Sequence, residues 1–183
     1  MIRIRVLLSV ALSLSLLGCG FHLRGKIVLP ADVPAVRVIS STPYSELVPI
    51  LERGLQSGGA TLAAPDARMD TVARLEILSE RWGDLPIAVD AQGRAQEFSL
   101  RYATIFAFYR PDGEELVPQQ VVELSRYYVS PPVDATGTST EREILADELR
   151  REMAASILRR INNVVRAELD HAELQRSSTM DAP

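Results

Sequence analysis

The chain has 183 residues, of which 46% are hydrophobic and 24% charged, with 24 acidic against 20 basic side chains. An acidic balance of that kind argues against nucleic acid as a partner, since no basic surface is available to neutralise phosphates. A single cysteine excludes both a disulfide framework and a thiolate zinc site. The chain opens with Arg3 and Arg5, followed by an apolar run from Val6 to Leu17 broken only by serines. This is the layout of a secretory signal, and it falls short of the roughly 20 apolar residues that a membrane-spanning helix needs.

At the end of that run, Leu16-Leu17-Gly18-Cys19 resembles the lipobox of bacterial lipoproteins. The resemblance implies that residues 1–18 are removed and that Cys19 becomes the first mature residue, carrying diacylglycerol and a fatty acyl chain. Each buried methylene contributes about 0.8 kcal/mol, so several chains hold a domain on a membrane where one holds it only reversibly. The next residue is Gly20 and not Asp, which by resemblance to enterobacterial sorting directs the protein to the outer membrane. Removing 18 residues from 183 leaves 165, one domain able to bury its own core; losing Arg3 and Arg5 leaves 18 basic against 24 acidic residues.

Cys19-Gly20-Phe21-His22-Leu23-Arg24-Gly25 closely resembles the start of mature LptE proteins, the lipopolysaccharide-assembly lipoproteins of Gram-negative outer membranes. His22 reads as a packed or hydrogen-bonded side chain. The only other histidine, His171, lies in a polar tail, so no metal site is expected.

Residues 19–34 form an extended lead-in punctuated by Pro30 and Pro34. Ala35 to Ser40 reads as a β-branched strand. Thr42 and Pro43 supply a helix start, and Leu47, Val48, Leu51 and Leu55 share one helical face as far as about Gln56. Pro49 removes a backbone donor, so the helix is expected to begin late or to bend there. Ser57-Gly58-Gly59 ends it. Val72 to Leu78 is the second strand, with an interruption or bulge expected at Trp82-Gly83-Asp84 before Leu85 to Asp90 resumes.

Gln92-Gly93 turns the chain into its strongest strand, Glu97 to Tyr109. There Phe98, Leu100, Tyr102, Thr104, Phe106 and Phe108 alternate onto one face and Ser99, Arg101, Ala103 and Ala107 onto the other. Arg110-Pro111-Asp112-Gly113 is a turn, and Val117 to Val129 the last strand, with Arg126 an exception on an otherwise apolar face. Pro118 suits a strand end or an edge. Ser130 to Thr140 has no apolar period and reads as a loop, after which Thr138 or Thr140 caps a long helix. Ala146, Leu149, Met153, Ile157, Ile161 and Val164 stripe that helix to about Leu169. Glu148, Arg151, Glu152, Arg159 and Arg166 lie opposite, and Arg150 falls inside the stripe. Residues 170–183 are expected to be disordered.

The order β-α-β-β-β-α predicts an α+β fold, with two helices on one face of a roughly four-stranded, mostly antiparallel sheet spanning residues 19–169. The LptE resemblance implies the same arrangement. No phosphate-binding glycine loop, nucleophile elbow or paired histidine motif marks an enzyme. The resemblance further implies a plug inside a LptD-type β-barrel that delivers lipopolysaccharide to the outer leaflet. Lipopolysaccharide phosphates would seek arginine or lysine, and the loops of the sheet offer Arg94, with Arg101 and Arg126 in reserve. The alternative is a tethered periplasmic scaffold that holds a peptide or partner at the sheet edge or in a helix groove.

Overall fold

In the computed structural model, residues 35–130 and 135–180 are described. The signal segment, Cys19, the lead-in and the outermost tail fall outside them. Seven elements follow one another: β1 (Val36–Ser40), α1 (Leu47–Ser57), a single 3-10 turn (Met69–Thr71), β2 (Ala73–Val89), β3 (Ala95–Tyr109), β4 (Glu115–Val129) and α2 (Ala135–Met180). The strands lie in the order β1-β2-β3-β4. β1 runs parallel to β2 across the α1 crossover, and the other two pairings are antiparallel hairpins. Both helices cover the same face, which confirms the α+β arrangement.

Helix α1 begins at Leu47, five residues after Thr42, with Pro49 in its first turn. Amide groups in a first turn have no intrahelical acceptor, so proline costs nothing there. The helix ends in a Schellman motif: Ala60 donates to the Leu55 carbonyl and Gly59, at φ 95°, donates to that of Gln56. Leu47, Leu51 and Leu55 point into the core, as their spacing predicts. Gly54 lets α2 approach closely, because a Cβ there would sit 2.4 Å from Leu158 Cδ1.

The aromatic face of β3 is the floor of the core. Tyr102, Phe106 and Phe108 are fully buried beneath the helices, each contributing about 1.5–3 kcal/mol by leaving water. On α2 the stripe is Ala146, Leu149, Met153, Ile157 and Ile161, completed by fully buried Val165 with partly buried Val164 packed beside it.

Three expectations are corrected. Trp82-Gly83-Asp84 is not an interruption: these residues pair regularly with Tyr102, Arg101 and Leu100, and the irregularities lie on either side, at Leu78 and after Pro86. Helix α2 starts at Ala135, so Thr138 and Thr140 lie within it and do not cap it. It also continues to Met180, past Leu169, so the segment from Asp170 is helical. That stretch contains Ala, Glu, Leu, Gln and Arg with no Gly or Pro, and nothing in it breaks a helix already nucleated upstream.

Candidate functional site

The bulge at Leu78 decides which β2 side chains face the helices. Before it, Ala73, Leu75 and Ile77 lie inward; after it, the inward residues are Glu80, Trp82, Asp84 and Pro86, opposite Thr104, Tyr102, Leu100 and Phe98 of β3. One inserted residue reverses the parity of a strand. It thereby carries two carboxylates to the helix side.

Each carboxylate organises a cluster. Glu80 accepts hydrogen bonds from Tyr102 Oη at 2.7 Å and Ser40 Oγ at 3.1 Å, linking three strands. Burial, reinforced by Glu80, raises the Tyr102 hydroxyl well above the usual phenol range. Trp82 stacks on Tyr102 with ring centroids 3.9 Å apart, and the Arg150 guanidinium lies 5.3 Å from the Trp82 ring centre. Arg150 also pairs with Glu46, at the start of α1, and with Asp147, each at 2.6 Å. Arg150 sits in the apolar stripe of α2 because its stem packs there while its charge joins both helices and the ring stack.

Asp84 receives a two-pronged contact from Arg142 of α2, at 2.9 and 2.8 Å, and a third hydrogen bond from Tyr128 Oη at 3.0 Å. The Arg142 hydrogen bonds, acting against the cost of burial, hold the Asp84 carboxyl below its ordinary range. Burial, with Asp84 close by, pushes the Tyr128 hydroxyl up. These groups are saturated with internal partners, so the cluster fastens α2 to the sheet.

The three arginines singled out from the sequence do not converge. Arg94 is in the β2–β3 turn, where Asp90 accepts from its backbone amide and its Nε and from Gln92 and Gln96. Those bonds, the Arg94 amide foremost, lower the Asp90 carboxyl. Arg101 points to the open face of the sheet, 3.6 Å from Glu123. Arg126 points to the helix side and reaches Glu152 at 2.5 Å and Glu148 at 3.8 Å, so these two acids are drawn toward the sheet edge and not left on a free solvent face. Any anion must compete with a carboxylate at each of them. Arg81, which the sequence reading passed over, lies on the open face diagonal to Arg101, since Arg81 pairs with Ala103 and Gly83 with Arg101. Only the parity reversal at Leu78 puts it there.

The open face is the larger unclaimed surface. Leu85, Val121, Tyr127 and Val129 are exposed large apolar residues, and the strand register places them on the side away from the helices, opposite Ser99, Ile105 and Glu97 of β3. The free edge of β4 is less inviting. Arg160 donates to the Val121 carbonyl and Arg126 to the Ser125 carbonyl, each at 3.0 Å, which occupies acceptors a docking strand would need. Between α1 and α2 runs a groove of about 440 Å³ lined by Gly54, Leu158, Arg151 and Arg159 among others.

Comparison with known proteins gives a consistent result. A family model described as LptE, Lipopolysaccharide-assembly, matches residues 33–161. The LPS-assembly lipoprotein LptE of Photorhabdus laumondii is 28% identical over 169 residues, covering 91% of each chain. That of Pectobacterium atrosepticum is 27% identical over 144 residues, 79% of this chain and 77% of its own. Among solved structures, rare lipoprotein B of Shewanella oneidensis is similar with a TM-score of 0.62 and 26% identity, over 75% of this chain and 99% of the other. A lipoprotein B of Nitrosomonas europaea, 22% identical, shares the fold with a TM-score of 0.62 over 83% of this chain and 96% of its own.

Proposed function

Because this chain belongs to the LptE family of lipopolysaccharide-assembly proteins, we propose that it is the lipid-anchored plug subunit of an outer-membrane lipopolysaccharide translocon, seated in a LptD-type β-barrel. Its role in lipopolysaccharide assembly rests on that membership and on relatives named LPS-assembly lipoprotein LptE. It works by binding and positioning, without a catalytic step. Cys19 is the residue that carries the acyl chains, and the outer membrane is where they moor it.

The observation that carries the partnership is the uncovered sheet face with Leu85, Tyr127 and Val129 exposed. Exposed large apolar side chains gathered at one end of a sheet whose other face is already covered mark a protein contact. A barrel wall suits it: the face carries Arg101, Glu123 and Arg81 across its middle and exposed apolar side chains toward the β2–β3 turn. For lipopolysaccharide itself, Arg94 is the proposed contact, being the only one of the three arginines in a loop. Arg101 and Arg126 would serve only after leaving Glu123 and Glu152.

A tagged chain extracted in detergent should bring down a large β-barrel protein in comparable amount. Recovery of the lipoprotein with no barrel overturns the reading. Mass spectrometry should find Cys19 acylated at the mature N-terminus, and an unmodified thiol there removes the anchor. Arg94→Glu should weaken lipopolysaccharide binding by the purified domain, and unchanged binding removes that assignment.

A further inference from the structure

Tyr44, in the loop between β1 and α1, is the one non-glycine residue with positive φ among the described residues, at 54°. It is also fully exposed, so its ring packs on nothing in the described chain. It follows Pro43 in a turn, at a position that glycine or asparagine fills with less strain. Among the described residues, tyrosine here neither covers core nor suits its backbone.

The loop nevertheless holds the residue firmly. On the upstream side, Ser41 donates from its amide to the Ile77 carbonyl at 2.9 Å and from Oγ to the Leu78 carbonyl at 2.7 Å. The Thr42 amide donates to Ser40 Oγ at 3.1 Å. Downstream, Ser45 Oγ accepts from the Leu47 amide at 3.2 Å, and Glu46 is paired with Arg150. A strained backbone position fixed from both sides is pre-organised: the cost of ordering the loop that presents the ring has been met in the free protein, and only the ring's own rotamer remains to be fixed on binding. Two residues further on, Glu46 links the loop to charged groups of both signs on α2. Glu46 and Asp147, of one sign, flank Arg150, of the other, and Ile144, exposed on α2, lies one turn before Asp147. Aromatic anchors of this kind, apolar in the ring and polar at the tip, concentrate binding energy when they enter a partner's pocket.

We propose that Tyr44 is a preset anchor that inserts into an apolar slot of a protein partner, the slot offering an acceptor or water to its hydroxyl and polar groups to Glu46 and Arg150. The inference rests on the barrel partnership of the preceding section, and it assigns a second contact, at the helix-start end of the domain, distinct from the open sheet face.

The test uses the full-length lipoprotein extracted in detergent with its barrel, comparing wild type with Y44F, Y44A and Y44N. Two quantities are read for each: barrel recovered per lipoprotein, and the melting temperature of the lipoprotein alone. Y44N should melt no lower than wild type, and by about 2–4 °C higher if relief of the strain is fully realised, yet recover at least tenfold less barrel. Y44A should lose barrel similarly, and Y44F should stay within twofold of wild type. If wild type captures the barrel and Y44N retains it within twofold, the anchor is refuted. A fall in the Y44N melting temperature that accounts for the loss of barrel also refutes it, because the ring would then serve the fold. Tyr44-dependent binding to bare phospholipid vesicles, with barrel recovery unchanged, would assign the residue to lipid and overturn the protein slot. Failure of wild type to capture any barrel overturns the preceding reading instead, and the anchor with it.

Discussion

The helix-covered face of the sheet has two halves built on opposite principles. Beside β1 and the chain-reversal at Arg110, the contacts are dry: Leu51, Leu55, Leu75, Ile77, Phe106, Phe108, Ile157 and Ile161 meet with almost no exposed area. Toward the β2–β3 turn the same helix meets the same sheet through Trp82, Asp84 and Arg126, matched by Arg150, Arg142 and Glu152, while Tyr128 and Tyr102 hydrogen-bond Asp84 and Glu80 within the sheet. The dry half derives its stability from area removed from water, which is large and indifferent to partner geometry. The polar half gains less per contact, because each charge gives up hydration to be paired. What it adds is orientation: Arg142 on Asp84, Arg150 on Trp82 and Glu152 on Arg126 fix the position of α2 over the strands.

The two halves should therefore break differently. Deleting Leu78 removes the bulge and returns Glu80, Trp82 and Asp84 to the open face. It should cost more than any single truncation in the dry half, and circular dichroism with denaturant titration would show a chain without a cooperative transition. A variant that still unfolds as sharply as wild type would show that the parity reversal is not what builds the polar half. Phe106→Ala, in the dry half, should lower stability by about 3–5 kcal/mol in urea unfolding. Arg142→Ala should cost about 1–3 kcal/mol, since it strips charged hydrogen bonds from a partly buried carboxylate. Combined with Asp84→Asn in a double-mutant cycle, the two losses should fall short of additive.

Acid provides a finer probe of the same contrast. Asp84 has its folded pKa lowered, chiefly by Arg142, so its contribution is present above the unfolded value of about 3.9 and disappears as pH falls through the lower folded one. Stability should drop through that window in wild type and drop less in Arg142→Ala, while Phe106→Ala should shift the whole profile without changing its acid slope. Smallest of all, Tyr127→Ser on the open face should change stability by less than about 0.5 kcal/mol while reducing barrel recovery. A variant that is both stable and fully barrel-competent would exclude that face from the contact.

Much of the dry half was legible beforehand because it obeys simple periods. The alternation of Phe98 to Phe108 and the 3.6-residue stripe from Ala146 to Ile161 each name their own buried face, and Pro49 correctly delays α1. The two sharp turns, at Gly93 and Gly113, announce themselves by residues that can take positive φ. The polar half was not legible, because a bulge leaves no periodic mark: Leu78 looks like any strand leucine, yet it reverses the inward residues from Glu80 to Pro86. Arg150 was visible as a charge in an apolar stripe, but the Trp82 ring and Glu46 that explain it lie on other elements. The helical continuation past Asp170 is not legible in composition, because a polar segment resembles a disordered one, whereas the absence of a breaker matters more to a helix already formed.

By itself the sequence determined the α+β class, the order of the elements and the floor of the core, since hydrophobic period and turn chemistry act within a few residues of each other. Only the tertiary structure decided that Arg94, Arg101 and Arg126 face three different ways, that Glu80 and Asp84 lie beneath α2, and that Tyr44 stands strained and uncovered. Those outcomes depend on strand register and on pairs 20 to 60 residues apart in the chain, such as Tyr102 with Glu80 and Arg142 with Asp84, which local preference does not encode.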